Sequence, residues 1–271
     1  MSPRKAYVET TILADALLKP GNPKCTAALA ALKRYDTTLL PVYAIKEWKA
    51  GVVKYFAYFH EKLVQTKSLS RTIQVIASLP DQYHQYRKNT SWEALATAVH
   101  LGSQGRKPGA EPSEDEDREL ADRYRLSIAG LLTRSWQKRR ELTTETIQDL
   151  DCYTESPPML NASGVFDLSP NDCDSEVKCA LADALFSQPE LLTKLADAIP
   201  ESSKRKKDVK RRQVLRDMVR LKNYELTPDS CRALGDAIFA FFAPPDSVVL
   251  TTNLKDHAPL AQALGKSAEA P

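Results

Sequence analysis

Ala6-Tyr7-Val8-Glu9-Thr10-Thr11-Ile12-Leu13 is an apolar strand that ends in a carboxylate, and Val248-Val249-Leu250-Thr251-Thr252-Asn253-Leu254-Lys255-Asp256 is a β-branched strand that runs into a polar turn. In a parallel α/β sheet, ligands gather beyond the carboxyl ends of the strands. If these two strands are parallel neighbours, Glu9 and Thr252-Asn253 reach the same edge. Thr37-Thr38-Leu39-Leu40 reads as a third strand, and the helix expected from Tyr43 onward starts from that edge with Glu47 in its first turns. Asp236 stands in Gly235-Asp236-Ala237-Ile238-Phe239-Ala240, on an apolar helix face. A carboxylate on such a face is seldom accidental and points to function. Glu9 also has the position of a cap for the helix that follows, and Asp256 that of a cap for a helix over 258–264.

Working outward, the two ends of the chain alternate strand and helix, and the middle does not. Ala- and Leu-rich residues 11–18 read as a helix stopped by Pro20-Gly21-Asn22-Pro23, and a second helix is expected over 26–34. From about residue 60 to 220 the pattern is mostly helical, with few strand signals. Residues 114–140 are acidic first and basic last, as the helix dipole favours. Residues 156–170 read as irregular. Thr227-Pro228-Asp229 is a helix start, with Thr as N-cap and Pro at the first position. The expected fold class is therefore α/β: a parallel sheet with helices on both faces, in three layers, plus a largely helical insert. Residues 1–60 and 223–271 would form one discontinuous domain and 61–222 the insertion.

Composition narrows the function classes. The chain has 271 residues, 42% hydrophobic and 27% charged, ordinary values for a globular protein. No apolar run approaches the ~20 residues needed to span a bilayer, and Met1-Ser2-Pro3-Arg4-Lys5 is not followed by a signal-peptide pattern. Five cysteines without a CxxC pair point to reduced thiols, a cytoplasmic setting and no zinc site. His60-Glu61 lacks the second histidine of a metalloprotease helix, Gly102-Ser103-Gln104-Gly105 lacks the Lys of a phosphate loop, and no GxSxG occurs. The aromatics Tyr55, Phe56, Tyr58 and Phe59 are expected in helix packing rather than as a base-stacking platform.

Net charge is only +3, but it is unevenly spread. Residues 145–200 hold eleven Asp or Glu against two Lys, and residues 201–225 hold ten Lys or Arg against four acids. Lys204, Arg205, Lys206, Lys207, Lys210, Arg211 and Arg212 form a basic block expected either to contact nucleic-acid phosphates or to be a solvated helix face or one paired with the acidic stretch 145–200 before it. The oxygen-only set of Glu9, Glu47 and Asp236, with Asn253 or Asp256, suits Mg²⁺ or Mn²⁺.

Taken together, Tyr7-Val8-Glu9-Thr10-Thr11, Ile45-Lys46-Glu47, Asp236-Ala237-Ile238-Phe239-Ala240 and Leu250-Thr251-Thr252-Asn253-Leu254-Lys255-Asp256-His257 resemble the PIN domain, a small α/β metal-dependent nuclease family. The resemblance covers roughly residues 5–60 and 223–266. The chain departs from it in three places. Glu9 stands where the family usually has Asp, His257 stands where it closes with Phe, and the long segment 61–222 has no counterpart. The resemblance implies a three-layer PIN-like fold and a hydrolase acting on phosphodiester bonds, an endoribonuclease dependent on Mg²⁺ or Mn²⁺. Glu9, Glu47, Asp236 and Asp256 would hold the metal, with Asn253 completing the catalytic set. Thr10 and Thr252 would orient ligands or phosphate. The implied partners are RNA and, by analogy with toxin and defence systems, an antitoxin-like protein; a homo-oligomer is compatible with the chain. The alternative is a catalytically degenerate PIN-like module that binds nucleic acid or a protein.

Overall fold

The computed structural model describes residues 3–102, 113–148, 153, 155–169, 180–221 and 224–271. Cys152, Cys173 and Cys179 fall outside them; among the described residues Cys25 and Cys231 form no disulfide. In chain order the elements begin with β1 (Lys5–Val8), α1 (Thr10–Leu18), α2 (Pro23–Leu32), β2 (Thr37–Pro41) and α3 (Val42–Trp48). A π-helical turn (Lys49–Val53) carries α3 into α4 (Lys54–Thr66). Then come α5 (Leu69–Ala77), α6 (Asp81–Gly102), α7 (Glu114–Lys138), β3 (Glu145–Ile147), β4 (Met159–Leu160) and β5 (Phe166–Asp167). The chain closes with α8 (Ala180–Phe186), α9 (Pro189–Asp197), α10 (Lys206–Arg220), α11 (Pro228–Phe242), β6 (Ser247–Leu250), α12 (Leu254–Ala263) and β7 (Ser267–Glu269).

The fold is α/β, a five-stranded parallel sheet in the order β3-β2-β1-β6-β7 with helices around it. β1 lies at its centre, and Ala6, Tyr7 and Val8 are fully buried. A strand covered on both faces reads as a continuous apolar run, which is why this stretch shows no alternation. The chain leaves β1 toward β2 and β3 on one side and later supplies β6 and β7 on the other. The gap beyond the ends of β1 and β6 is therefore the topological switch point, where open α/β sheets bind ligands.

Several helix boundaries follow local chemistry. Asn22 caps α2, its side chain accepting from the Lys24 amide, with Pro23 at the first position. Ser113 and Glu116 form a reciprocal capping box on α7, and Thr227 caps α11 with Pro228 behind it. The described residues of 61–222 are largely helical, as expected, but residues 145–147 return to the main sheet as β3. Thr144 prepares that return: its hydroxyl accepts from the Thr38 amide at 3.1 Å, and its amide donates to the Thr38 carbonyl at 2.9 Å. Residues 156–170, expected as irregular, contain the β4–β5 hairpin. The last strand, β7, was not expected either. Ser-Ala-Glu carries no strand propensity, and its conformation comes from pairing with β6. Among the described residues, no helix is long and apolar enough to cross a membrane.

Candidate active site

The site is built at the switch point, one residue at a time. The Glu9 amide donates to the Leu250 carbonyl at 3.0 Å, which ties the end of β1 to the end of β6. Glu9 is also the N-cap of α1. Its Oε2 accepts from the Thr11 amide at 3.1 Å, from the Thr11 hydroxyl and from the Thr251 hydroxyl at 3.1 Å. No hydrogen bond reaches its Oε1 among the described residues. Capping and a place at the switch point thus coexist in one side chain. Thr10, the next residue, donates from its hydroxyl to Glu47 Oε2 at 2.9 Å. That bond joins α1 to α3 and brings the two glutamates together.

Both carboxyls are pushed up in pKa. Burial is the first cause for Glu9. Burial, then the charge of Glu9, takes Glu47 to about 7. The nearby Glu9 charge disfavours charge on Glu47, Asp236 pushes both carboxyls up, and the His257 charge pulls Glu9 down. The two glutamates lie on the floor of a cleft of about 660 Å³, whose walls carry Lys54, Tyr55, Tyr86 and Arg232. The π-helical turn lies between Glu47 and Tyr55 and forms part of this wall; single π turns recur at functional sites.

Asp236 arrives on α11, which breaks its helical path at Gly235 (φ 11°, ψ −90°). A Cβ at Gly235 would stand 3.5 Å from Glu47 Oε1, so the kink runs directly past the glutamate. Asp236 itself is turned to other partners. Its Oδ2 is paired with Arg211 of α10 and its Oδ1 lies 3.4 Å from His257 Nε2. Burial pushes its carboxyl up, but the His257 hydrogen bond and the Arg211 charge more than offset this and hold it well below the usual carboxylate range. His257 is raised in turn: burial pulls it down, and the Asp236 hydrogen bond and charge prevail. Its Nδ1 is buried and takes no hydrogen bond among the described residues.

Asp256 follows the same pattern. Arg205 reaches its Oδ1 at 2.6 Å, Lys207 pairs with Oδ2, and Asn253 Nδ2 donates to Oδ2 at 2.5 Å. It is not the cap of a helix over 258–264, because α12 already starts at Leu254.

Several of the expected site residues have partners of their own in the structure. Asp236 and Asp256 are compensated by the protein's own cations. Asn253 supports Asp256 rather than joining Glu9 and Glu47. Thr252 is exposed, and only its backbone amide takes part, donating to the Thr11 hydroxyl at 3.2 Å; its neighbour Thr251 makes the side-chain contact with Glu9. The basic block lies on α10 and just before it, and most of its charge is spent inside the protein. Arg205, Lys207 and Arg211 pair as described, Lys210 pairs with Asp229, and Arg212 donates to the Pro200 carbonyl. Only Lys204 and Lys206 of that block are exposed without an ion pair among the described residues.

Thr251, His257 and the pairing role of Arg211 were missed. The Thr251-Thr252 doublet hides which threonine faces inward, and nothing local links Arg211 to an acid 25 residues away. Among the described residues, no three His, Cys, Asp or Glu side chains are grouped to hold one metal ion. The four-acid shell thus does not fit as arranged. The Glu9–Glu47 pair does suit a hard divalent ion by donor type, since Mg²⁺ is commonly held by one or two carboxylates with substrate phosphates and waters. Compared with family models, with curated proteins and with solved structures, the chain matches none.

Proposed function

We propose that the chain is a PIN-like ribonuclease whose working acids are Glu9 and Glu47. The observation that carries this reading is their convergence: a strand end and a helix 37 residues away are joined through Thr10 at the switch point, over an open cleft. A divalent ion bound there would supply Lewis-acid stabilisation of phosphodiester charge. The chain's own residues do the rest. Lys54 and Arg232 bind phosphate at the cleft wall, where neither has an ion pair among the described residues. The hydroxyls of Thr10, Thr11 and Thr251 fix both carboxylates in rotamer, and Glu47 is placed to take a proton from a water in the cleft. The test is cleavage of single-stranded RNA with Mg²⁺ or Mn²⁺, stopped by chelator. Glu47→Gln is expected to slow it by at least about a hundredfold, the scale of a lost acid–base group. Equal cleavage by Glu47→Gln and wild type would sink the assignment.

A second reading is favoured by the pairs Arg211–Asp236 and Arg205/Lys207–Asp256. With two of its acids internally compensated, the chain would be a catalytically idle module that binds RNA. Its signature is RNA binding without cleavage in either metal.

A further inference from the structure

We propose that Tyr55 and Tyr86 form a nucleobase subsite on the cleft wall, so that the chain takes single-stranded RNA by stacking a base beside the Glu9–Glu47 pair. The inference rests on the reading of the cleft as an RNA site and adds what holds the RNA there.

The helical pattern of α4 divides its aromatics between two faces. Phe56 and Phe59 are fully buried in the core, as the sequence led one to expect. Tyr55 and Tyr58 are each one residue earlier, about 100° around the helix, and are only partly buried. Tyr55 faces the cleft and meets Tyr86 of α6 edge-on, with ring centroids 5.3 Å apart and planes at 77°. Arg87 stands over the Tyr55 ring at 5.9 Å and over the Tyr58 ring at 5.1 Å from the centroids. Tyr86 is 57% exposed. A Cβ at Gly51 would stand 3.7 Å from the Tyr86 hydroxyl, so the π-helical turn offers bare backbone beside the ring.

The surroundings select the occupant. An aromatic wall alone would take any flat apolar group. Here Lys54 and Arg232 line the same cleft with no ion pair within 4 Å among the described residues, and the floor carries two carboxyls and two threonines. Unpaired cations next to stacking rings are the combination that tracks a single strand: phosphates take the charge and bases take the rings. A cleft of about 660 Å³ also has room for more than a phosphate group.

The experiment is a binding titration in chelator, so that cleavage plays no part. The probes are a short single-stranded RNA and the same backbone made abasic. Wild type is expected to prefer the base-bearing strand by about tenfold, the low end of what one stacked base contributes. Tyr86→Ala and Tyr55→Leu should each remove most of that preference and leave the affinity for the abasic strand unchanged. Tyr86 is exposed, so its variant is expected to melt with wild type. Equal affinity of wild type for the two strands overturns the subsite, as does a preference that survives both substitutions. If neither strand binds, the RNA reading of the cleft falls as well. If both bind equally, only the base subsite falls.

Discussion

At the scale of single residues, the site is defined by which acids are compensated. Asp236 and Asp256 have cations against them and are depressed, whereas Glu9 and Glu47 face each other and are raised. Glu47 has a consequence for stability. Its carboxyl is raised from 4.5 to about 7 in the folded protein. Between those values the folded state keeps a proton that the unfolded chain has lost. Unfolding free energy therefore falls as pH rises through this window, and the loss is complete above about 7. His60, held near 4 by burial, works in the opposite sense between 4 and 6.5. The measurement is accordingly a difference: urea midpoints of wild type and Glu47→Gln at about pH 5 and about pH 8. Glu47→Gln is expected to gain on wild type at the higher pH. A constant gap between the two proteins would show that Glu47 does not titrate in this window.

At the scale of elements, α10 behaves as a built-in counterion for α11 and α12. Its sequence reads as a basic face, yet Arg211 is buried and bonded to both Asp236 and the Ala233 carbonyl. Removing one partner of a buried pair leaves the other charge uncompensated, which costs about 3–5 kcal/mol. Arg211→Gln is expected at the lower end, about 3 kcal/mol, because Asp236 retains His257 and some solvent. Lys206→Gln, on the same helix but exposed, should change stability by less than about 0.5 kcal/mol. Denaturant midpoints of the two variants check this. Equal midpoints would mean that α10 is a solvated face after all.

At the scale of the whole molecule, the two ends of the chain close one sheet. β6 lies between β1 and β7, and β7 is held by more than its ladder. Glu269 accepts from the Tyr35 hydroxyl at 2.8 Å and pairs with Arg4, its carbonyl accepts from the Thr251 amide at 3.0 Å, and Lys266 donates to the last carbonyls of α11. Deleting residues 265–271 would remove all of these and bare the β6 edge. Each lost hydrogen bond costs roughly 1 kcal/mol, so the truncated chain is expected to melt well below wild type and to self-associate through the open edge. A monomeric truncation with an unchanged melting curve would refute that role for β7.

The sequence by itself determined the strands at both ends and the helix starts, because apolar runs, caps and prolines act within a few residues. It also marked Glu9 and Glu47, since a polar residue at the end of an apolar strand or in the first turns of the next helix points to one sheet edge. The short strands β3 and β7 were decided by tertiary structure: three residues, even with the β-branched Thr146 and Ile147 of β3, become a strand only when a neighbour offers its ladder. The same holds for charge. Arg205, Lys207 and Arg211 read as a surface until the fold brings Asp256 and Asp236 against them, and Tyr86 joins Tyr55 only when α6 packs on α4. Whether a charge is free or compensated depends on distance in space, and an ion pair 25 or 51 residues apart in the chain leaves no local trace in its sequence.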